Sequence, residues 1–327
     1  MSEKRQTPDQ TGQVADAIYK NWVDLYSPAS LRPYFRLSRA DRPAGTWLLL
    51  LPCLWSLCLA ILSNKTLQPI NIFYIIIMMI AGAFLMRGAG CTWNDITDQK
   101  IDASVARTKS RPIPSGQIST RQALNWMFIQ TLAGAVILFT FNNFTIFLGL
   151  IALIPVAIYP YAKRFTWWPQ LFLGIAFNWG ALIGWSSYTG SLSLSPIFLY
   201  FSGISWTLFY DTIYAHQDKE DDVLIGVRST ARLFHSNTKK WLWGFLLISM
   251  SLMISAFLLA IDSNINIFSL IIGISGIFAY GAHLIWQLIS LDINNADNCL
   301  LMFRSNRNAG LIPIVGFICA IVFQSVI

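Results

Sequence analysis

Eight of the sixteen acidic residues in this 327-residue chain fall in two short segments. Asn94–Asp102 reads NDITDQKID and carries Asp95, Asp98 and Asp102; Asp211–Asp222 reads DTIYAHQDKEDD and carries Asp211, Asp218, Glu220, Asp221 and Asp222. Carboxylates this close repel one another unless positive charge sits among them. Rows of this kind suit divalent cations. Magnesium takes one or two carboxylates and fills its remaining positions with substrate phosphate oxygens, so a phosphate-bearing substrate is implied. On a helix, Asn94, Asp98 and Asp102 follow i, i+4, i+8 and drift about 80° in all, while Asp95 and Asp102 nearly superimpose. Read as a helix, the second segment puts Asp211, Asp218 and Asp222 within about 40° of one line. Each row contains an i, i+4 pair, Asp98/Asp102 and Asp218/Asp222. A single charge run reads as a solvated loop; two with matching spacing read as a site.

Basic residues stand close by. Arg107-Thr-Lys109-Ser-Arg111-Pro112-Ile-Pro114-Ser-Gly116 follows the first row, with Arg107 and Arg111 four apart and the prolines and Gly116 making a bend. Ser119 and Gln122 then form a capping box that opens the next helix. Lys163 and Arg164 follow Tyr159-Pro160-Tyr161, and Arg228-Ser229-Thr230 follows the second row. Arginine forks and lysine ammonium groups both suit phosphate oxygens. Arg87 is different, because it lies in Phe84-Leu-Met-Arg-Gly-Ala-Gly90 at the edge of an apolar stretch. A charge there is costly unless paired and is a functional candidate by default. It lies eight residues before Asp95, where it could bind an anionic group just below the metal site. The alternative is an arginine that snorkels from a helix end.

These side chains need elements to position them. The chain is 55% hydrophobic and 12% charged, with a mean hydropathy of +0.52, whereas a soluble domain is about 25% charged. Apolar stretches near the length that crosses a hydrocarbon core of about 30 Å lie at 44–62, 70–89, 121–140, 144–161, 168–187, 195–212, 241–261, 265–289 and 308–326. If they alternate across a membrane, 22 of the 23 Lys and Arg fall on one side and Lys65 alone on the other. This is the positive-inside pattern, and it places both acidic rows on the basic face. The reading is an all-α polytopic membrane protein with nine transmembrane helices around a central cavity and a cytoplasmic N-terminus. Residues 1–38 read as a cytoplasmic tail, with Val14–Tyr26 a candidate surface helix, and 39–327 as the transmembrane domain. The net charge of +7 is explained by topology, so nucleic-acid binding is not required. The five cysteines show no metal-ligand spacing and read as small buried hydrophobes.

The two rows resemble signatures of the UbiA family of membrane-intrinsic prenyltransferases, NDxxDxxxD for the first and DxxxYAxxDxxxD for the second. Arg39-Ala-Asp-Arg42-Pro-Ala-Gly-Thr and the Arg107–Gly116 segment are similar to family segments too, so the resemblance runs over residues 36–327. It implies Mg²⁺-dependent transfer of a polyprenyl group from polyprenyl diphosphate to an acceptor. The metal would be held by Asn94, Asp98, Asp102, Asp218 and Asp222. Arg107, Arg111, Tyr159, Lys163 and Tyr214 would contact the diphosphate. Arg87, with Arg42, would take the acceptor, Arg87 at its carboxylate, and Asp211 and Asp95 would assist catalysis. Glu220 and Asp221 stand between the key acids of the second row as solvated or outer residues. The wording of the motifs is most similar to the branch that prenylates the ring of 4-hydroxybenzoate in ubiquinone synthesis, rather than the haem, menaquinone or homogentisate types. No obligate protein partner is evident.

A cation or metabolite transporter is the reading from another class. It would place ionisable groups near mid-membrane on broken helices with repeated halves, whereas these acids gather at one face. A lipid-binding scaffold has no use for two metal-spaced rows. The acid-containing N-terminal segment does not match a transit peptide, so the expected location is the bacterial inner membrane, with the active site on the cytoplasmic side, rather than the mitochondrial inner membrane.

Overall fold

The computed structural model describes residues 14, 17–18, 20–64, 69–262 and 264–326. Lys65, the lone cation expected on the far side, and residues 15, 16 and 19 of the candidate surface helix lie outside the described residues; within that segment the described helix is Trp22–Tyr26. Among the described residues the fold is helical, without strands. In chain order the helices are α1 Trp22–Tyr26, α2 Arg32–Leu37, α3 Ala44–Leu62, α4 Pro69–Ser104, α5 Thr120–Leu138, α6 Asn143–Ile151, α7 Leu153–Ile158 and α8 Ala162–Phe165. They continue as α9 Pro169–Asn178, α10 Gly180–Thr189, α11 Leu194–Ala215, α12 Lys219–Leu224, α13 Thr230–Phe234, α14 Thr238–Ala260, α15 Ile267–Ser290 and α16 Ala296–Val326.

Six helical stretches are long and apolar enough to cross a membrane: Ala44–Leu62, Ile70–Ser104, Asn143–Phe165, Thr230–Ala260, Ile267–Ser290 and Ala296–Gln324. The stretches expected at 121–140, 168–187 and 195–212 are helical as well, in α5, α9–α10 and α11. Two expected single spans are interrupted. The first breaks at Ala152 and again at the Tyr159–Tyr161 3-10 turn, where prolines 155 and 160 remove backbone donors. The second breaks at Trp179. There Gly180 and Gly184 press on α3, where a Cβ at 184 would strike the Cys53 backbone.

The bundle packs α3 against α10 and α16, α11 against α14 and α9, α15 against α16, and α4 against α5. Trp55, Trp206 and Tyr280 meet at its centre with ring centroids 5.0 to 6.3 Å apart. Their polar ends are all satisfied. Trp55 Nε1 donates to Gly310 O (2.7 Å), Trp206 Nε1 to Asn306 Oδ1 (2.9 Å), and the Tyr280 hydroxyl pairs with Ser249 (2.9 Å). Such pairing is what lets polar-tipped aromatics serve as core. Gly276 and Gly316 bring α15 and α16 close, since a Cβ at 276 would lie 2.9 Å from the Gly316 backbone.

Residues 22–38, expected as part of a separate tail, are docked on the bundle. α2 packs on α4 and α5, Trp22 Nε1 donates to Ala40 O (2.9 Å), and Arg36 pairs with Asp24 (2.8 Å). Their aromatic rings cover Trp126 of α5. This docking fixes the start of the segment that carries Arg39 and Arg42.

Candidate active site

The first acidic row does not leave its helix. α4 continues for 36 residues through Ser104, so Asn94, Asp98 and Asp102 keep the i, i+4, i+8 geometry. The second row departs from the single helix assumed for it. α11 ends at Ala215, a 3-10 turn covers His216–Asp218, and Asp218 (φ −109°, ψ 7°) precedes α12. The shared face computed for Asp211, Asp218 and Asp222 therefore does not hold. Asp211 is separated from the other two and faces inward.

The positive charge that relieves the acids is supplied by side chains. Arg39 holds Asp95 through both oxygens, at 2.5 and 2.9 Å, and Arg111 reaches Asp95 at 3.2 Å and Asp102 at 2.7 Å. Lys163 pairs with Asp98, with Arg164 3.5 Å from the other oxygen. Arg107 grips both oxygens of Asp218, its Nε at 2.7 Å, and donates to the Tyr214 hydroxyl (2.7 Å) while lying over that ring. Arginines and a lysine thus neutralise both rows. As the side chains stand, no three Asp, Glu, His or Cys groups among the described residues gather closely enough to hold a metal.

The donors nevertheless fit one. All are oxygens, as magnesium requires. Asp98 is wholly buried and its Oδ1 has no hydrogen-bond partner. Burial, and then the neighbouring Asp218, push the Asp222 carboxyl up to about 7 against the pull of Lys163, Arg232 and Arg107. A cation beside Asp222 would reverse that shift. Carboxylates can turn to metal and the basic groups to phosphate in one exchange of partners that leaves no charge uncompensated.

Asp95 was expected to assist catalysis. It is wholly buried, its carboxylate clamped by Arg39 and Arg111, and it lines neither cavity described below. It holds those arginines in place. Arg39 adopts a left-handed backbone (φ 60°), a conformation that costs about 1–3 kcal/mol outside glycine and persists only where surroundings enforce it. Trp126 and Gln130 donate to Ser38 Oγ at 2.8 and 3.0 Å and pin the preceding residue. Arg39→Met should lower stability by about 3–5 kcal/mol, because it strips a buried carboxylate of its bidentate partner. Thermal unfolding in detergent reads this out, and an unchanged midpoint would assign Asp95 wholly to Arg111.

Two cavities meet beside the rows. An apolar chamber of about 230 Å³ lies among α3, α4, α5, α6–α7 and α9–α10. It runs along α4 from Gly90 to Met78, about 18 Å at 1.5 Å per residue. Leu150 and Leu153 line it and are exposed. A polar cavity of about 220 Å³ is lined by Asn94, Asp211, Tyr214 and five arginines, 39, 42, 87, 111 and 304. Arg87, Tyr159 and Phe177 line both. Arg87 lies over the Phe177 ring (5.0 Å), and its buried Nε has no hydrogen-bond partner. Tyr159 donates to Gly90 O (3.1 Å). Arg42 bonds Asp41 at 3.0 Å. Asp211 makes no hydrogen bond or ion pair among the described residues. Arg39 and Arg304 had not been singled out as site residues. Arg304 had been read in the loop before the last span, but it lies inside α16, which begins at Ala296.

A sequence profile described as the UbiA prenyltransferase family matches residues 49–306. The chain is 47% identical over 293 residues to the Bos taurus protein named 4-hydroxybenzoate polyprenyltransferase, mitochondrial, covering 89% of this chain and 76% of that one. It is 44% identical over 306 residues to the Arabidopsis thaliana protein of the same name, covering 93% and 72%. In fold it is similar to a UbiA homolog from Archaeoglobus fulgidus bound to GPP and Mg²⁺, with a TM-score of 0.66 at 19% identity over 89% of this chain and 99% of that one. The expected bacterial location does not stand, because these relatives are named mitochondrial.

Proposed function

Because the chain belongs to the UbiA prenyltransferase family, we propose that it transfers a polyprenyl group from polyprenyl diphosphate to the ring of 4-hydroxybenzoate, ortho to the hydroxyl. The observation that carries this reading is the meeting of the apolar chamber and the arginine-rich cavity at Arg87, Tyr159 and Phe177, beside the acidic rows. A molecule with a long apolar tail and an anionic head fits that junction, and an anionic aromatic acid fits the cavity. The relatives' names supply the acceptor and point to the mitochondrion. We read residues 39–327 as one transmembrane domain of nine spans, with both acidic rows on the basic face.

In this reading Asn94, Asp98, Asp102, Asp218 and Asp222 hold Mg²⁺, which when bound neutralises the departing diphosphate. Arg107, Arg111 and Lys163 turn from their carboxylates to phosphate oxygens, and Tyr214 follows Arg107. The tail lies in the apolar chamber and leaves sideways toward lipid where it is longer than the chamber. As the C–O bond of the donor lengthens, the Tyr159 and Phe177 faces sit where positive charge develops on the allylic carbon. Both line the end of the chamber that meets the polar cavity. Arg42 and Arg87 hold the acceptor. Asp211, inward-facing and unpaired, accepts the phenol proton while the ring carbon attacks to give a dienone; the proton on that carbon then passes to solvent in the polar cavity, which restores the aromatic ring as a phenoxide, and Asp211 returns its proton to the oxygen.

Membranes containing the protein, given 4-hydroxybenzoate, a polyprenyl diphosphate and Mg²⁺, should yield the ring-prenylated acid, and a chelator should stop the reaction. Absence of Mg²⁺-dependent product across several donors and acceptors would refute the reading.

A further inference from the structure

We propose that Gly82 of α4 keeps the apolar chamber open to the donor tail from its second isoprene unit onward, so that this position sets whether donors longer than one unit are accepted. The proposal rests on the donor reading above and names a residue that governs the tail.

Glycine weakens a helix relative to alanine, and inside a membrane span it is ordinarily explained by a neighbour packed close against it. Gly88, Gly134 and Gly149 have that explanation. The side chains of Gln130, Met86 and Leu138 respectively stand where their Cβ atoms would go. Gly82 does not have it, since a Cβ built there meets nothing within 4 Å. Two other glycines outside turns share this openness. Gly90 lines the chamber at its polar end, and Gly244 of α14 lines neither cavity.

The open space at Gly82 is the chamber and not the outer surface. At 100° per residue, Phe73, Ile77, Ile80 and Phe84 fall within about 40° of the direction opposite Gly82, and all four are exposed. Met78, Met79 and Met86 fall within about 60° of Gly82 itself, and all three line the chamber with it. A side chain at position 82 would therefore enter the chamber. Cα–Cβ bonds tilt toward the N-terminus of a helix, so it would lean toward Met78 and away from the polar cavity.

Depth decides which part of the tail it would meet. In the donor reading the reacting carbon stands at the junction, level with Arg87. Gly82 lies five residues deeper, about 7.5 Å along the helix. An extended chain advances about 1.2 Å per bond, so an isoprene repeat of four bonds spans about 5 Å. The first unit ends above Gly82 and the second passes it. The neighbouring methionines are unbranched and can move out of the tail's path. A branched side chain at position 82 could not.

The test is Gly82→Leu, assayed with 4-hydroxybenzoate, Mg²⁺ and donors of one, two and three units: dimethylallyl, geranyl and farnesyl diphosphate. Its kcat/KM for farnesyl diphosphate should fall about 5- to 150-fold, the effect of forcing extra carbons into occupied space. Geranyl diphosphate should lose activity as well. Dimethylallyl diphosphate should stay within about twofold of wild type, because its tail ends above position 82. Gly82→Ala adds a single carbon and should lie between wild type and Gly82→Leu. The rise in unfolding midpoint that each diphosphate causes with Mg²⁺ in detergent reads binding even where turnover is slow, and should divide the donors in the same way. Without ligand, both variants should unfold no earlier than wild type, since alanine and leucine are better helix formers. A uniform loss across the three donors would overturn the proposal and assign Gly82 to the fold or the diphosphate. No loss with any of them would also overturn it, since the tail would then run elsewhere. Wild type is measured first. If it neither turns over nor is stabilised by any of the three donors, the functional reading itself fails, independently of any effect at position 82.

Discussion

Asp98→Ala should reduce prenyl transfer at least about 1,000-fold, the scale on which electrostatic stabilisation of a leaving group is lost, while the protein remains folded. Asp98 is wholly buried, with one oxygen paired to Lys163 and the other without a hydrogen bond. A buried carboxylate left half unsatisfied costs stability, so the fold gains little from it. Removing it strands Lys163 and Arg164, whose side chains are 22% and 44% exposed and can turn to water. Alanine is also the better helix former in the middle of continuous α4. Asp98→Asn separates charge from shape, since it keeps the volume and one oxygen but loses the anion; it should be nearly as inactive. Product formation at saturating Mg²⁺ and both substrates reads the loss, and the unfolding midpoint in detergent reads the fold. Full activity in Asp98→Ala would remove the residue from the metal site. Asp218→Ala should behave alike, with Arg107 left over the Tyr214 ring.

The contrast between the two rows shows what a linear reading can reach. The first row was legible because α4 is regular from the apolar stretch through Ser104, so helical arithmetic applied. Helix α3 at Ala44–Leu62, the capping box at Ser119 and Gln122, and the left-handed Gly116 at the bend were equally local and took the expected form. The second row misled because a 3-10 turn breaks the period after Ala215. No breaker residue marks it; the turn depends on α16 and the loops packed around it. The ion pairs were illegible for a different reason. Arg39 lies 56 residues from Asp95, Lys163 lies 65 from Asp98, and Arg107 lies 111 from Asp218. Such pairings are set by how helices meet. The rows announced that positive charge must neutralise them, and metal was inferred; the structure supplies it from side chains that can exchange for metal. Arg304 was counted among the loop cations, although α16 begins eight residues before it at Ala296.

Arg87→Ala should lower kcat/KM for the acceptor about 100-fold, the effect of losing a buried charged hydrogen-bonding group, and leave the donor KM little changed. The guanidinium lies at the boundary of the two cavities, fixed over Phe177 and with Nε unsatisfied. A buried donor without a partner is a cost unless a ligand supplies the acceptor atom. No carboxylate pairs with it among the described residues, unlike Arg39, Arg107 and Arg111. Arg87 is therefore available to the reacting edge of the acceptor, where negative charge grows on the phenol oxygen as Asp211 takes its proton. Gly45 gives an independent handle on the same group. A Cβ at position 45 would lie 2.7 Å from Arg87 Nε and 2.8 Å from Cζ, so Gly45→Ala must displace the guanidinium without removing it. Its acceptor kcat/KM should fall in the same direction by a smaller factor, with the donor again unaffected. If both variants instead raise the donor KM and spare the acceptor, Arg87 belongs to the diphosphate. If Gly45→Ala is silent while Arg87→Ala is not, the guanidinium acts through its charge at a distance and not through a fixed contact.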